Sequence, residues 1–91
     1  MAKATKLATR EWIGNAQTLY RLSAPLQDCW PAWRNIMVNI RHETGERTIS
    51  RAWAYEKPDG RWAAVPGDSW WRACYCPLTE RDLAFVESEI A

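Results

Sequence analysis

The sequence predicts an α+β domain in which one C-terminal helix packs on an antiparallel β-meander of four to five strands. Three observations predict this fold. Polar and apolar residues alternate in several segments, turns that contain Gly or Pro separate those segments, and the last segment changes to helical spacing. The chain has 91 residues, a length that suits one hydrophobic core, so we expect a single domain spanning residues 1–91.

The first two predicted strands lie on either side of a turn signal. Residues 7–13 allow a short helix or a strand, but Gly14 and Asn15 stand where a helix would have to continue. A Gly-Asn pair between apolar residues is typical of a hairpin, so we expect a strand or an irregular arm before it. Alternation over residues 17–24 predicts the next strand, which ends at Pro25.

The middle of the chain carries the clearest strand pattern. Residues 35–42 alternate, with Ile36, Val38 and Ile40 on one side and mostly polar residues on the other. A tight turn at 43–46, with Gly45 at the position that needs a positive φ, leads into a returning strand at 47–56. The even positions of this returning strand are small, and we expect that small face to lie under the helix.

The last part of the chain predicts short strands and then the helix. A Pro-Asp-Gly turn precedes a strand at 61–65, and residues 69–76 predict an edge strand. Thr79 is a typical helix N-cap, and Asp82 resembles the acidic member of a capping box, so we expect a helix running to about Glu89. The apolar side of that helix is expected to consist of Leu83, Phe85, Val86 and Ile90.

Charge and cysteine content narrow the class of protein. The formal net charge is +1, which argues against a strongly basic nucleic-acid binder and against an acidic DNA mimic. No apolar run approaches the roughly 18 residues of a membrane span, and the basic start of the chain has no apolar segment behind it, so we expect neither a membrane partner nor a signal peptide. Three cysteines, an odd number, favour free thiols in a reducing cytoplasm.

Few residues suggest catalysis or metal binding. The chain has one histidine, His42, with no nucleophile beside it in the sequence, and its four glycines are isolated rather than grouped in a phosphate loop. We therefore expect no enzyme and no cofactor. Four residues are of the type that binds structural zinc, but they lack the usual two-residue gap between thiols, and buried thiols are the favoured interpretation: Cys29, His42, Cys74 and Cys76.

Tryptophan content is the strongest functional signal. The chain has seven Trp against one Phe, more indole rings than one small core holds easily. Trp, Tyr and Arg dominate the energetics of protein interfaces, so we expect a surface that binds a partner protein or a second copy of the chain. The alternative is a platform that stacks the bases of single-stranded nucleic acid. The predicted partner-binding residues are Trp30, Trp33, Arg51, Trp53, Tyr55, Arg61, Trp62, Trp70, Trp71 and Arg72.

A resemblance adds a more specific expectation. Its motifs are the segment Tyr20-Arg21-Leu22-Ser23, the strand at 38–40, the Glu-Thr-Gly-Glu turn at 43–46 and the segment Pro58-Asp59-Gly60-Arg61-Trp62. With these the middle of the chain resembles small accessory proteins of bacterial and phage genomes, and its size and aromatic surface are similar to those of anti-CRISPR and other anti-defence proteins. The resemblance implies an inhibitor that sterically blocks a host complex.

Overall fold

The computed structural model describes residues 3–30, 32–63, 72–74 and 77–91. It confirms the α+β meander: a five-stranded antiparallel sheet has the order β1-β2-β3-β4-β7, and one helix, α1, closes the chain. Two further short strands, β5 and β6, form a separate antiparallel ribbon. The bounds are β1 Thr5–Trp12, β2 Asn15–Arg21, β3 Asn35–Arg41, β4 Arg47–Trp53, β5 Tyr55–Glu56, β6 Trp62–Ala63, β7 Arg72–Cys74 and α1 Glu80–Ile90.

Strands β1 and β2 form a hairpin, which confirms the strand expected at 7–13. The two loop residues are Ile13 and Gly14, with φ of 40° and 77°, the pair of positive values that a type I′ turn needs. The turn therefore lies one residue earlier than the Gly-Asn pair suggested. Asn15 instead pairs with Trp12 as the first residue of β2, and its side-chain amide donates to the Trp12 and Ile13 carbonyls at 3.2 and 3.0 Å.

The later strands match the prediction in position, with one break. The returning strand does not run unbroken over 47–56, because Ala54 separates β4 from β5. The ribbon turn before β6 has Gly60 at φ 82°, as the Pro-Asp-Gly signal implied. Strand β7 is the edge strand expected within 69–76 and pairs with β4, while residues 64 and 65 of the predicted strand at 61–65 lie outside the described residues.

The helix covers the face of the sheet that carries the large side chains. Ile36, Val38 and Val86 belong to one buried cluster, against which Ile49 also packs. The expectation that the small face of the returning strand lies under the helix is therefore wrong. Because Val38 pairs with Ile49, the odd positions of β4 share the face of the apolar even positions of β3, and α1 covers that combined apolar face. Ala52 lies on the opposite face, in a second buried cluster.

Helix α1 begins where the sequence predicts, but the sequence did not predict the hydrogen bonds that anchor it to the preceding loop. The Asp82 N–H donates to the hydroxyl of Thr79, the N-cap, at 3.2 Å. The Asp82 carboxylate does not complete a capping box but accepts the N–H groups of Gln27 and Asp28, each at 2.9 Å. Near the other end of the helix, one carboxylate oxygen of Glu89 accepts the Ser23 N–H at 2.6 Å.

The buried stripe of the helix consequently differs from the predicted apolar side. Asp82, Val86 and Glu89 are 2%, 0% and 1% exposed, whereas Leu83, expected in the core, is 40% exposed. The stripe keeps helical spacing, but its two ends are carboxylates bonded to loop amides. The helix therefore fixes both the sheet and the loop at 22–34. No helix among the described residues is long and apolar enough to cross a membrane.

Candidate partner-binding groove

An open groove lies at the end of the sheet where β2 and β4 end and β3 begins. Its volume is about 490 Å³. Arg21, the last residue of β2, pairs with Asn35, the first residue of β3, and both contribute to the lining. The described lining residues are Arg21, Ala32, Trp33, Arg34, Asn35, Ala52, Trp53, Ala54 and Trp62.

Three indole rings form the walls of the groove. Trp33 and Trp53 meet edge to face, with ring centroids 5.6 Å apart and an interplanar angle of 70°. The Arg51 guanidinium carbon lies 5.6 Å from the Trp33 ring, and that of Arg21 lies 5.5 Å from the Trp62 ring. Both distances fall within the range of cation–π attraction, which together with the edge contact holds the rings in defined orientations.

The structure brings together four of the residues predicted from the sequence. Trp33, Trp53 and Trp62 line the groove, and the Arg51 guanidinium lies over the Trp33 ring. Trp30 lies on the same loop as Trp33, but it is 91% exposed and does not line the groove. Of the predicted Trp and Arg residues, four thus lie close together, and the Trp30 indole lies apart from them.

Two of the other predicted residues lie on or beside the β5–β6 ribbon, outside the described lining of the groove. Tyr55 is exposed on the β5–β6 ribbon, and the Arg61 side chain bonds the Asp59 carboxylate at 2.8 Å beside the ribbon turn. For Arg72 only the backbone is described, paired with Trp53 at the sheet edge. Trp70 and Trp71 lie outside the described residues.

Two groove arginines were not predicted from the sequence. Arg21 comes to the groove because β2 and β3 pair across a loop, and that register cannot be read from either strand alone. Arg34 directly follows Trp33; its Nε donates to the Leu22 carbonyl at 2.9 Å and its Nη2 to the Ser23 carbonyl at 3.1 Å. Its position between Trp33 and the start of β3 was the available signal.

The loop that carries Trp33 is tied down at several points. The Leu26 N–H donates to the Trp33 carbonyl at 2.7 Å, which closes the loop on itself. The Asp28 carboxylate accepts bonds from Arg81 and from the Thr79 hydroxyl, the latter at 2.5 Å. The hydrogen bond from Arg81, and after it that from Thr79, holds the pKa of the Asp28 carboxyl below its ordinary value. These contacts supplement the amide bonds to Asp82 and Glu89, so the groove wall is a fixed loop.

Two described residues of the zinc hypothesis, His42 and Cys74, lie far apart. Cys29 and Cys74 are half-buried free thiols, and Cys74 accepts a bond from Arg51 at 3.5 Å. His42 lies at the opposite end of β3, where its Nε2 is 2.5 Å from a Glu11 carboxylate oxygen. Six residues of strand, about 20 Å, separate it from the residue of β3 level with Cys74, so the two cannot share one ion. The described residues contain no cluster of three or more metal-ligand side chains, and Cys76 lies outside them.

Comparisons of the chain with protein-family models, with curated proteins and with solved structures found no match. The chemistry available in the groove is that of its own side chains. Indole rings offer apolar and edge contacts, guanidinium groups offer hydrogen bonds and charge, and the described lining holds no Ser, Cys, His or carboxylate. These side chains suit the binding of a partner that offers apolar and anionic groups.

Proposed function

We propose that this chain is a non-catalytic protein-binding module of the cytoplasm and that it binds its partner through the groove. The observation that carries the proposal is the convergence of Trp33, Trp53 and Trp62 around one open groove. Indole rings that are held in place lose little conformational freedom when a partner covers them, which is why Trp is enriched among interface hot spots.

The exposed indole of Trp30 supports an interface larger than the groove. A side chain of this size that is 91% exposed leaves a large apolar area in water, which a partner would remove. A stable interface needs about 800 Å² from each partner, more than a groove of this size supplies. The partner is therefore expected to cover Trp30 together with the groove.

The resemblance to anti-defence proteins supplies a specific form of this function. In that form the chain is encoded by a phage or mobile element and sterically blocks a host complex, such as a CRISPR-type defence complex. A small rigid domain with a fixed aromatic surface suits such a role, because binding alone, without catalysis, is enough to block a site.

Binding of single-stranded nucleic acid is the second candidate. It is favoured by the two arginine–indole pairs, Arg21 with Trp62 and Arg51 with Trp33, since such pairs can stack a base and contact a phosphate. The net charge of +1 opposes it, because release of counterions from nucleic acid requires several uncompensated cations.

Two tryptophans of similar exposure provide the test. Trp53, in the groove, is 37% exposed, and Trp12, at the far end of the sheet, is 42% exposed. Tagged wild type, Trp53→Ala and Trp12→Ala are used to capture partners from bacterial lysate with and without nuclease, and calorimetry measures the affinity for the purified partner. We expect Trp53→Ala to weaken binding by about 30-fold or more, the size of a hot spot, and Trp12→Ala to leave it unchanged.

Circular dichroism and thermal unfolding check that both variants fold. Equal losses from the two variants would contradict the groove as the binding site. Loss of all captured material after nuclease treatment would contradict the protein partner and favour nucleic acid.

A further inference from the structure

The charged side chains in the described lining of the groove are all positive. Its described lining includes two arginines, Arg21 and Arg34, and neither Asp nor Glu. The Arg34 side chain is exposed, and both of its hydrogen bonds go to neutral backbone carbonyls. It forms no salt bridge with any residue in the described part of the chain. A positive charge therefore stands at the groove without a carboxylate to offset it.

The three carboxylates that anchor the loop of Arg34 already have hydrogen-bond partners. Asp28, on the same loop, accepts bonds from Thr79 and Arg81. Asp82 and Glu89 are buried and accept loop N–H groups. Each of these three acids is held by a partner other than Arg34, so none of them occupies the Arg34 guanidinium, which can bind an external anion.

The geometry of Arg34 prepares it to bind such an anion. A guanidinium group has five N–H donors in a rigid plane, and the bonds to Leu22 and Ser23 employ two of them. These two bonds fix the plane before any partner arrives, so less side-chain entropy is lost on binding. The remaining donors can bind a carboxylate, the geometry in which arginine forms its strongest pairs.

We infer that the groove binds an acidic segment of a protein, in which a carboxylate pairs with Arg34 while a neighbouring apolar side chain packs between Trp33, Trp53 and Trp62. This inference rests on the proposed function and names the chemistry of its partner. The apolar side chain is required because an anion alone would leave the indole walls of the groove in water.

Labelled peptides test the inference directly. One fluorescein-labelled peptide has a tryptophan between two pairs of glutamates, and a second has glutamine in place of every glutamate. Fluorescence anisotropy at low salt measures their affinities. We expect the glutamate peptide to bind at least about tenfold more tightly, as a charge-assisted hydrogen bond allows, and its advantage to shrink as salt is raised.

Two matched arginine variants separate a local from a general charge effect. Arg34→Gln should reduce the advantage of the glutamate peptide to less than about threefold, because only a neutral hydrogen-bonding side chain remains. Arg41→Gln removes the same charge from an exposed arginine at the opposite end of β3 and should leave the advantage intact. Arg34→Lys keeps the charge without the planar fork and should keep only part of the advantage.

Three results would overturn the inference. The two wild-type peptides could bind equally, Arg41→Gln could lower the advantage as much as Arg34→Gln, or an oligothymidine could bind more tightly than the glutamate peptide. If either of the first two occurs while a captured partner still depends on Trp53, the proposed function stands and only its acidic ligand is wrong. If the partner is also insensitive to Trp53→Ala, both fail.

Discussion

The two ends of the sheet expose tryptophan to a similar degree but in different settings. Trp53 contacts Trp33 edge to face and shares a groove with Trp62. Trp12, at the β1–β2 hairpin, lies beside the Arg10 guanidinium, 4.5 Å from its ring centroid, and next to Ile13, which is 84% exposed. Exposure alone would therefore assign both ends the same role, and it is the convergence of three rings on one groove that distinguishes them.

The two ends of the sheet also differ in the contacts and backbone conformations that stabilise them. At the groove end, helix carboxylates bind backbone N–H groups of the loop at 22–34. At the hairpin end, a two-residue turn places a β-branched residue, Ile13, at a positive φ, a conformation that such residues rarely adopt. We expect substitutions at the groove end to destabilise the protein and a suitable substitution at the hairpin to stabilise it.

The largest expected loss of stability follows substitution of Asp82. Asp82→Asn replaces one carboxylate oxygen by an NH2 group, so one of the two loop N–H groups loses its acceptor in a site that is 2% exposed. We expect the free energy of unfolding to fall by about 2–3 kcal/mol, measured by urea denaturation. Affinity for the captured partner should fall with it, because the loop that carries Trp33 is less firmly held.

A neighbouring acid provides the control for Asp82. Glu80 also lies in the first turn of α1 but is exposed, so Glu80→Gln makes the same charge change without removing a buried acceptor. Its expected effect is within about 0.5 kcal/mol, the contribution of one charge to the helix dipole. Equal losses for the two variants would mean that charge at the helix start, rather than the anchoring of the loop, accounts for the effect.

A substitution at Ile13 is expected to raise the free energy of unfolding rather than lower it. Ile13→Asn places before Gly14 the residue that type I′ turns favour, and we expect a gain of about 1 kcal/mol in the free energy of unfolding, seen as a higher Tm. Ile13→Val keeps the β-branched strain and should gain nothing. If Ile13→Asn raises Tm but weakens partner binding, the hairpin end belongs to the interface and the contrast between the two ends is wrong.

Sequence patterns predicted the parts of this fold that depend on local chemistry. The strand around Ile36 and Val38, the positive φ of Gly45 and Gly60 and the Thr79 cap each depend on a few neighbouring residues, and each was found where expected. The small face of β4 was assigned to the wrong side, because the face that a helix covers depends on the register between strands. Asp82 fits a capping box locally, yet its partners are more than 50 residues away in the chain.

The same distinction applies to the groove. An excess of tryptophan predicted an aromatic surface, but only the fold determines which rings meet. Trp33, Trp53 and Trp62 come from a loop, a strand and a ribbon, and the pairing of β2 with β3 brings Arg21 to them. Trp30 is also a tryptophan and lies on the same loop as Trp33, but it does not line the groove.

The smallest expected effect is the pH dependence of the exposed clamp between Asp28 and Arg81. Because the hydrogen bonds from Arg81 and Thr79 lower the pKa of Asp28 in the folded chain, the stabilisation is complete above the ordinary Asp pKa and is lost as the pH falls through the lowered value. Below about pH 4 we therefore expect the stability of wild type to approach that of Asp28→Asn. Thermal unfolding from pH 6 downward measures the difference between the two proteins.

Amide hydrogen exchange determines whether loss of the Asp28–Arg81 clamp loosens only the groove end of the sheet. The Gln27 and Asp28 N–H groups lie on the loop that the clamp holds, and both donate to the Asp82 carboxylate of the helix. Their protection from hydrogen exchange should therefore fall when the clamp is removed by acid or by Asp28→Asn. The His42 N–H, bonded to the Gly14 carbonyl at 3.0 Å, belongs to the hairpin end, and Asp28→Asn should leave its protection as in wild type. Parallel stability curves for the two proteins down to low pH, or equal loss of protection at both ends, would mean that Asp28 does not hold the loop selectively. The difference between the two ends of the sheet would then depend on Asp82 and Glu89 alone. Among the described residues, these are the helix side chains that bind the loop backbone.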